Sequence, residues 1–414
     1  MLHLYWYNTN LYIFDNNSLV KDMSIAKKKI SVVSLLSLIP DEELNTIARK
    51  TNVNHYVKVL DGKSVLFLIL YALVEYRRNS LRTMEDLFNS PSFKFLFNLA
   101  EDKTVKYNSI SERLSVINVE FFKQAYELIH DIYTKHYSKE EVENHKLIRV
   151  DSTMVAEAAN KLVVGMNIGR KKNGKKQIKY TMAHDGNFAC MTEIFSDKSY
   201  LSEDLTIPKI VFKYAENNKD AIFVFDRGVQ KREVFCSLSN NGIPFACRIN
   251  SNARHKVIQD IEIGSNRVVG SLNLVSDQKI QFKIPSTNKI YEEYFRLIIA
   301  KNPDTNITYH FLTNIFDQNV EEILALYKKR WDIEVFFRFI KQELNFSHIT
   351  STSENGMQVM LYMTLITSML VLIYKRENNV GYKTAVRRIS IELNEFIIKL
   401  IVKHCGGDPS LVFR

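Results

Sequence analysis

Two aspartates stand where hydrophobic stretches of the chain end. Asp151 closes the alternating stretch 146–151, and Asp226 follows the continuous apolar run 221–225. Both stretches are predicted β-strands. Because ligand and catalytic groups in α/β sheets gather at the carboxyl ends of strands, we expect the two carboxylates to lie close together. An aspartate at a strand end is commonly a turn former or a helix cap, so the pair needs a third element to indicate chemistry.

The third element is a predicted helix around residue 330 that carries both an acid and bases. Relative to Tyr327, Arg330 falls at about 300°, Glu334 at about 340°, Arg338 at about 20° and Lys341 at about 320° around a regular helix. One face therefore combines a carboxylate, three cations and a phenol. The alternative is a solvated face with ion pairs between successive turns. The excess of bases over acid favours an anion site beside a metal ligand.

Two aspartates and one glutamate are suited to two-metal phosphoryl transfer. Such a set can hold two Mg²⁺ or Mn²⁺ ions about 4 Å apart, one activating water or a 3′-hydroxyl and the other stabilising the leaving oxygen. Carboxylate oxygens are the ligands these hard cations prefer. The neighbouring Arg and Lys side chains would grip phosphates, and Arg can do so through two hydrogen bonds.

The elements that must position these residues follow the order β–β–β–α–β–α–β. The predicted segments are strands 146–151, 177–183 and 188–195, helix 203–217, strand 221–225, helix 230–240 and strand 243–249. Residues 185–187 are the predicted turn between the second and third strands. Helix is predicted again over about 320–344 and from about 356 onward. The order predicts an α/β fold with a mixed sheet.

The domain boundaries follow from changes in this pattern. We predict a disordered leader over 1–27, a helical N-terminal DNA-binding domain over 28–145 and the first part of the catalytic core over 146–250. An all-β insertion over 251–315 precedes the second part of the core, 316–414, which holds the acidic-basic helix and a short C-terminal tail. Within the insertion, Ser276 and Asp277 are expected to form a turn between two strands.

The charge of the chain favours a polyanionic partner. There are 56 Lys and Arg residues against 46 Asp and Glu, a formal net charge of +10. Residues 161–179 hold seven bases and no acid, so we expect phosphate-backbone contacts there rather than a merely solvated loop. The DNA-binding candidates in this run are Lys171, Lys172, Lys175 and Lys176. Arg227 and Arg248, beside the core strands, are further candidates.

The cysteines and the most apolar segment restrict the class of protein. The four cysteines form no C-x-x-C pair and have no histidines at zinc-ligand spacing, which indicates reduced thiols in a cytosolic protein. Residues 357–374 approach the length of a membrane span. Their Gln, Thr and Ser residues favour a buried helix of a soluble fold over a membrane protein. Two lone histidines, His184 and His348, are interpreted as structural or surface groups.

These residues resemble the IS4-type DDE transposases of bacterial insertion sequences. The signature Y-(2)-R-(3)-E-(6)-K is matched by Tyr327, Arg330, Glu334 and Lys341, and "VDST" and "FDRG" around Asp151 and Asp226 match the first two acid motifs. The resemblance implies a ribonuclease-H-like core in which the two aspartates and Glu334 are catalytic and bind two Mg²⁺ or Mn²⁺ ions. It also implies that Tyr327, Arg330 and Lys341 hold phosphates near the cleaved end.

The resemblance further implies the partners and the course of the reaction. The partners are double-stranded DNA, the terminal inverted repeats of the transposon and target DNA, bound by a homodimer in the synaptic complex. The reaction is cut-and-paste movement through a hairpin intermediate. It takes place in the bacterial cytoplasm, at the nucleoid. Relatives trap a flipped base with a tryptophan of the β insertion, but the two tryptophans here, Trp6 and Trp331, lie outside 251–315. Another aromatic, such as Tyr291, Tyr294 or Tyr309, must then stack the base. Trp331 itself is expected to pack against its neighbours.

Two alternatives share this core. One is a ribonuclease-H-like nuclease without strand transfer, against which the helical N-terminal domain and the β insertion argue. The other is an inactive DNA-binding remnant of the element, against which the intact acids and bases argue.

Overall fold

A computed structural model of the chain describes residues 30–411 apart from 76–79, 98, 138–146, 157–161, 163, 168–174, 265–266, 285–286 and 288. The chain divides into two units. The helical unit comprises Met1–Lys139, Lys161–Val163 and Phe339–Arg414, and the α/β unit comprises Glu140–Asn160 and Val164–Arg338. The predicted leader lies outside the described residues.

Helices are present in each segment predicted to be helical, with small shifts at the ends of 203–217 and 230–240 and one break within 320–344. In chain order they are α1 Val32–Leu36, α2 Asp41–Lys50, α3 Gly62–Glu75, α4 Leu81–Asn89, α5 Pro91–Leu96, α6 Tyr107–Val116, α7 Val119–Tyr137, α8 Glu203–Ala215, α9 Arg232–Asn240, α10 Val320–Lys328, α11 Trp331–Glu343, α12 Glu354–Glu377 and α13 Tyr382–His404.

The strands are β1 Leu147–Ala156, β2 Met166–Asn167, β3 Lys176–His184, β4 Ala189–Phe195, β5 Ile222–Phe225, β6 Phe245–Arg248, β7 His255–Asp260, β8 Val268–Val269, β9 Leu272–Phe282, β10 Phe295–Lys301 and β11 Thr308–Thr313.

The helical unit is built around two apolar helices, α3 and α12. Nearly every residue of α3 is buried. Helix α12 is the one described helix with the length and hydropathy of a membrane span, and 78% of its apolar window is buried. It packs against α3, α7 and α13. Since α12 has neighbouring helices on most sides, residues from Phe339 onward group with the N-terminal helices. The predicted assignment of these residues to the second part of the catalytic core is therefore wrong.

The α/β unit contains one mixed sheet. The strand order is β2-β3-β1-β5-β6-β11-β10-β9-β7, with β4 on β3 and β8 on β9. Strand β1 is antiparallel to β3 and parallel to β5, which is parallel to β6. Apart from the two-residue β2, the predicted β–β–β–α–β–α–β order and the mixed sheet are confirmed. This is the order expected of a ribonuclease-H-like core.

Alternating side chains give this sheet two apolar faces. Ile148, Phe223 and Phe245 pack on one face in a core cluster with residues of α8 and α9. Leu147 and Val224 point to the other face, where they pack with residues of α10. Because successive side chains of a strand alternate between the two faces, these buried residues show which face each neighbouring side chain occupies.

The predicted β content of 251–315 is present, but its strands continue the core sheet, because β11 pairs with β6. The predicted turn at Ser276 and Asp277 is wrong, since both residues lie inside β9. Asp277 is only 2% exposed and forms a buried ion pair with Arg296 of the adjacent β10, with 2.6 Å between Arg296 Nη2 and Asp277 Oδ2. A neutralising partner across the sheet lets this acid occupy a strand interior.

The single helix predicted over 320–344 is two helices, α10 and α11. At the junction the backbone changes from i−4 to i−3 hydrogen bonds: Arg330 N donates to Tyr327 O at 3.0 Å and Asp332 N donates to Lys329 O at 3.1 Å. This tighter local winding changes the direction of the side chains that follow. The regular-helix angles assigned from Tyr327 therefore do not hold beyond residue 328.

Candidate active site

The sheet brings Asp151 and Asp226 to the same level. The last parallel pair between β1 and β5 joins Arg149 to Val224, and each aspartate lies two residues further along its chain. Both side chains alternate onto the face covered by α10. The predicted end of the first strand at Asp151 is wrong, because β3 pairs with β1 as far as Ala156. Only the parallel ladder ends before Asp151.

Asp226 is held by the side chains of two residues. Its Oδ1 accepts hydrogen bonds from Arg248 Nη2 at 2.8 Å and Nε at 3.2 Å, and from the Tyr327 hydroxyl at 3.0 Å. Burial alone would raise the pKa of Asp226, but the backbone N–H of Arg227, the Arg248 hydrogen bonds and the charge of Arg330 outweigh it. The net result is a lowered pKa. Asp226 is therefore ionised at neutral pH.

Asp151 has a different environment. Burial raises its pKa to about 7, and the charges of Glu203 and Asp226 act in the same direction. The backbone N–H of Ser152, 2.7 Å from Oδ1, and the charge of Arg330 act in the opposite direction. This carboxylate is the one whose negative charge is least compensated, so added positive charge would stabilise it most.

Arg330 connects the acids. Its Nη2 donates to Glu334 Oε1 at 2.6 Å, and its Nη1 lies 3.6 Å from Asp151 Oδ2. The residue is only 6% exposed, and its Nε and Nη1 atoms have no hydrogen-bond partner among the residues that the structure describes. A buried guanidinium with unused donors thus faces the acids that the sequence singled out.

The side chain of Tyr327 packs within the site, whereas that of Trp331 is largely exposed to solvent. The centroid of the Tyr327 ring is 5.8 Å from the Arg248 guanidinium and 5.7 Å from that of Arg330, and the ring packs edge-on against Phe311. Trp331 is 52% exposed, so the expectation that it packs against its neighbours is wrong. Trp331 is the first residue of the separate helix α11.

The residue types fit a hard divalent cation, although the present geometry does not form a closed metal cage. Within the described ranges, no three carboxylate, imidazole or thiolate groups stand close enough to hold one ion. Asp226 and Glu334 are instead turned toward Arg248 and Arg330. The oxygen-only donor set and the poorly compensated charge of buried Asp151 are what a divalent cation requires.

The other predicted DNA-binding residues that the structure describes differ in their exposure. Arg227 is exposed beside Asp226, and Arg338 is exposed on α11. Lys341 is half-buried, with its pKa lowered by burial, and belongs to the helical unit. In the basic run, Lys175 is exposed and Lys176 half-buried.

The rest of the basic run divides into two groups. Lys171 and Lys172, together with Lys161 and Arg170, lie outside the described residues. Lys179 is only 3% exposed, and its amine donates to Leu201 O at 2.9 Å. Lys179 is therefore satisfied inside the protein instead of being available to a phosphate.

One acid near the site escaped sequence-based reasoning. Glu203, the first residue of α8, interacts electrostatically with Asp151 and Asp226. An acid in the first turn of a helix is common, because it complements the helix dipole. No sequence signal separates this one from an ordinary first-turn acid.

His184 and two of the cysteines are buried side chains. His184 is buried, its Nδ1 accepts a hydrogen bond from Gly186 N at 3.0 Å, and burial lowers its pKa to about 4. It is therefore neutral at physiological pH. All four cysteines are free, and Cys236 and Cys247 are buried.

Comparison with known proteins identifies relatives of this chain. Residues 144–370, more than half of the chain, match the family model described as "Transposase DDE domain". A protein of Geobacillus stearothermophilus, named as a transposase for insertion sequence element IS5377, is 22% identical over 81% of this chain and 82% of its own. A Sinorhizobium fredii protein, named as transposase y4zB, is 27% identical over 39% of this chain but only 44% of its own length.

Among solved structures, the chain aligns with the piggyBac transposase in a synaptic complex with hairpin DNA. The TM-score is 0.48 and the identity 13%, over 91% of this chain and 82% of that one. A likeness at this level carries no conclusion. The match to the family model spans the strands of Asp151 and Asp226 and the helix of Glu334. The chain therefore belongs to the DDE transposases, the enzymes of DNA transposition that insertion sequences encode.

Proposed function

We propose that this protein cleaves DNA at the ends of its element and joins those ends to target DNA, with Asp151, Asp226 and Glu334 as the catalytic metal ligands. A DDE transposase domain implies dependence on divalent metal. The observation that carries the assignment is the convergence of the acids. Asp151 and Asp226 share one level of the sheet, and Arg330 joins Asp151 to Glu334. We further propose Mg²⁺ or Mn²⁺ as the metal, with two ions per site.

The side chains of the site divide into ligands and charge-balancing groups. Bound ions would supply an activated water or 3′-hydroxyl and would stabilise the leaving oxygen. Arg248 holds Asp226 and Arg330 holds Glu334 through ion pairs, and the two arginines help to lower the pKa of Asp226. The unused N–H groups of Arg330 are placed to donate hydrogen bonds to a phosphate oxygen of the cleaved strand. Tyr327 positions Asp226 through its hydroxyl.

A cleft beside Asp226 is a suitable seat for a DNA strand. Its volume is about 360 Å³. It is lined by Arg227, Arg248, Ile249, Asn250, Ser251, Asn252, Ile307, Thr308, Tyr309 and His310. Cations, amides and an aromatic ring are the groups that contact phosphates and bases. Tyr309 lines this cleft, which makes it the preferred aromatic for stacking a flipped base over Tyr291 and Tyr294.

The rest of the proposal concerns partners and place. Lys171, Lys172, Lys175, Lys176, Arg338 and Lys341 are proposed to contact DNA, and the helical N-terminal segment is proposed to bind the terminal repeats. The protein is further proposed to act as a homodimer on paired transposon ends and to belong to the IS4 subgroup. Its proposed place of action is the nucleoid in the bacterial cytoplasm. The chain aligns with less than half of the length of the y4zB protein, so these points do not follow from that relative.

Strand transfer with pre-cut ends separates a transposase from a nuclease. Labelled DNA copied from the sequence that flanks the gene, already cut at the element end, is incubated with the protein and a plasmid target. We expect joined product in Mg²⁺ or Mn²⁺, and none after chelation or with scrambled end sequences. Plasmid nicking without joined product would instead favour the nuclease alternative.

A further inference from the structure

Two hydrogen bonds to the first turn of α8 place Glu203 at the edge of the site. Helix α8 begins at Glu203, with Ser202 as its N-cap. The next residue, Asp204, accepts hydrogen bonds from the backbone N–H groups of Gln230 at 2.6 Å and Lys231 at 2.8 Å. These bonds fix the start of α8 to the segment that follows Asp226.

The side chain of Glu203 fills the space above Gly228. A methyl group added at Gly228 would overlap the Glu203 carboxylate, which shows how closely this carboxylate lies against the backbone two residues beyond Asp226. A residue with a side chain at 228 would push the carboxylate away. The Asp-Arg-Gly sequence thus leaves room for a fourth acid.

The charges around Glu203 are those of the proposed metal site. Asp226 and Asp204 act on it as negative neighbours, and Lys179 and Arg330 as positive ones. It also acts on Asp151. Unlike the carboxylates of Asp151, Asp226 and Glu334, the Glu203 carboxylate makes no hydrogen bond or ion pair with any residue that the structure describes.

A second observation indicates that this cluster is built for a ligand. Arg330 is more than nine-tenths buried, and its Nη1 lies 3.6 Å from Asp151 Oδ2. Neither this atom nor Nε has a hydrogen-bond partner among the described residues. Buried donors of this kind are normally satisfied. The charges of Asp151, Asp226 and Glu203 repel one another, and Arg330 pairs with Glu334. A divalent ion would offset this repulsion, and a phosphate would accept hydrogen bonds from the unused donors.

We propose that Glu203 is a fourth carboxylate of the metal site, binding a divalent cation directly or through a water molecule. The proposal rests on the proposed function of Asp151, Asp226 and Glu334. It adds a ligand from the start of α8, beyond the three acids of the sequence signature. The competing explanation is a purely structural acid that complements the α8 dipole.

Mn²⁺ binding to the full chain without DNA tests this, with unbound Mn²⁺ measured from its electron paramagnetic resonance signal. We expect Glu203→Gln to weaken Mn²⁺ binding about 10- to 100-fold, the range known for groups that support a metal site. Gly228→Ala should weaken it as well, because it displaces the carboxylate without removing its charge. The matched control is Glu216→Gln at the exposed far end of α8, which should bind as the unaltered chain does.

The outcomes separate this inference from the proposed function. Affinity that falls in Asp226→Asn but stays unchanged in Glu203→Gln overturns the role of Glu203 and leaves the proposed site intact. Affinity unaffected by Asp226→Asn, or no Mn²⁺ binding by the unaltered chain, overturns both. A structural acid would lower the melting temperature of metal-free Glu203→Gln while leaving Mn²⁺ affinity unchanged, and that result also rejects the inference.

Discussion

Glu334→Gln is expected to abolish nicking of terminal DNA in Mg²⁺ while leaving DNA binding unchanged. The substitution replaces an anionic oxygen by a neutral amide at one of three proposed ligands. Loss of about 4 kcal/mol of transition-state stabilisation corresponds to about a thousandfold lower cleavage rate. The fold should persist, because the amide oxygen can still accept the hydrogen bond from Arg330 Nη2. Single-turnover nicking of labelled DNA and a gel-shift titration measure the two properties.

The matched control for this experiment is Glu321→Gln. Glu321 is an exposed acid in the first turn of α10, and the capping box of that helix uses Asn319 and Glu322 instead. We expect its nicking rate to stay within about twofold of the unaltered chain, since exposed substitutions away from a site have small effects. Full nicking by Glu334→Gln would remove Glu334 from the catalytic assignment.

The second large effect concerns stability. Asp277→Asn is expected to destabilise the α/β unit by about 3–5 kcal/mol, because it leaves the guanidinium of Arg296 buried without a counter-charge. Arg296 is 4% exposed and makes three hydrogen bonds to the Asp277 carboxylate. Urea unfolding followed by circular dichroism measures the change.

Two controls make the stability prediction specific. Asp260→Asn, which alters an exposed acid at the end of β7, should change the free energy of unfolding by less than about 0.5 kcal/mol. The double substitution Asp277→Leu with Arg296→Met removes both charges and should recover most of the loss. An unchanged unfolding midpoint for Asp277→Asn would contradict the importance of the buried pair.

Much of the site follows from local sequence patterns. The run 221–225 ends at residue 225 as a strand, and Asp226 comes next, so the second acid lies where the sequence places it. Glu334 and Arg330 were found through their spacing, and their ion pair fits one helical turn. Regular alternation and short-range spacing are sufficient for these residues because each depends only on its own element.

The features that sequence-based reasoning missed depend on distant partners. Asp277 resembles a turn residue until Arg296 of the next strand neutralises it. The break between α10 and α11 contains no Gly or Pro, so nothing in the local composition marks it. Glu203 approaches Gly228 only because the start of α8 is fixed to the chain after β5. Such contacts arise from tertiary structure, and no local pattern encodes them.

The central claim is that Asp151, Asp226 and Glu334 together hold divalent metal. Iron-directed cleavage of the polypeptide tests it most directly: Fe²⁺ replaces the bound ion, and ascorbate with peroxide generates radicals that cut the backbone beside it. We predict fragments that end near residues 151, 226 and 334, and their suppression by excess Mg²⁺. Cuts confined to other segments, or cuts at these positions that Mg²⁺ does not suppress, would contradict the metal site.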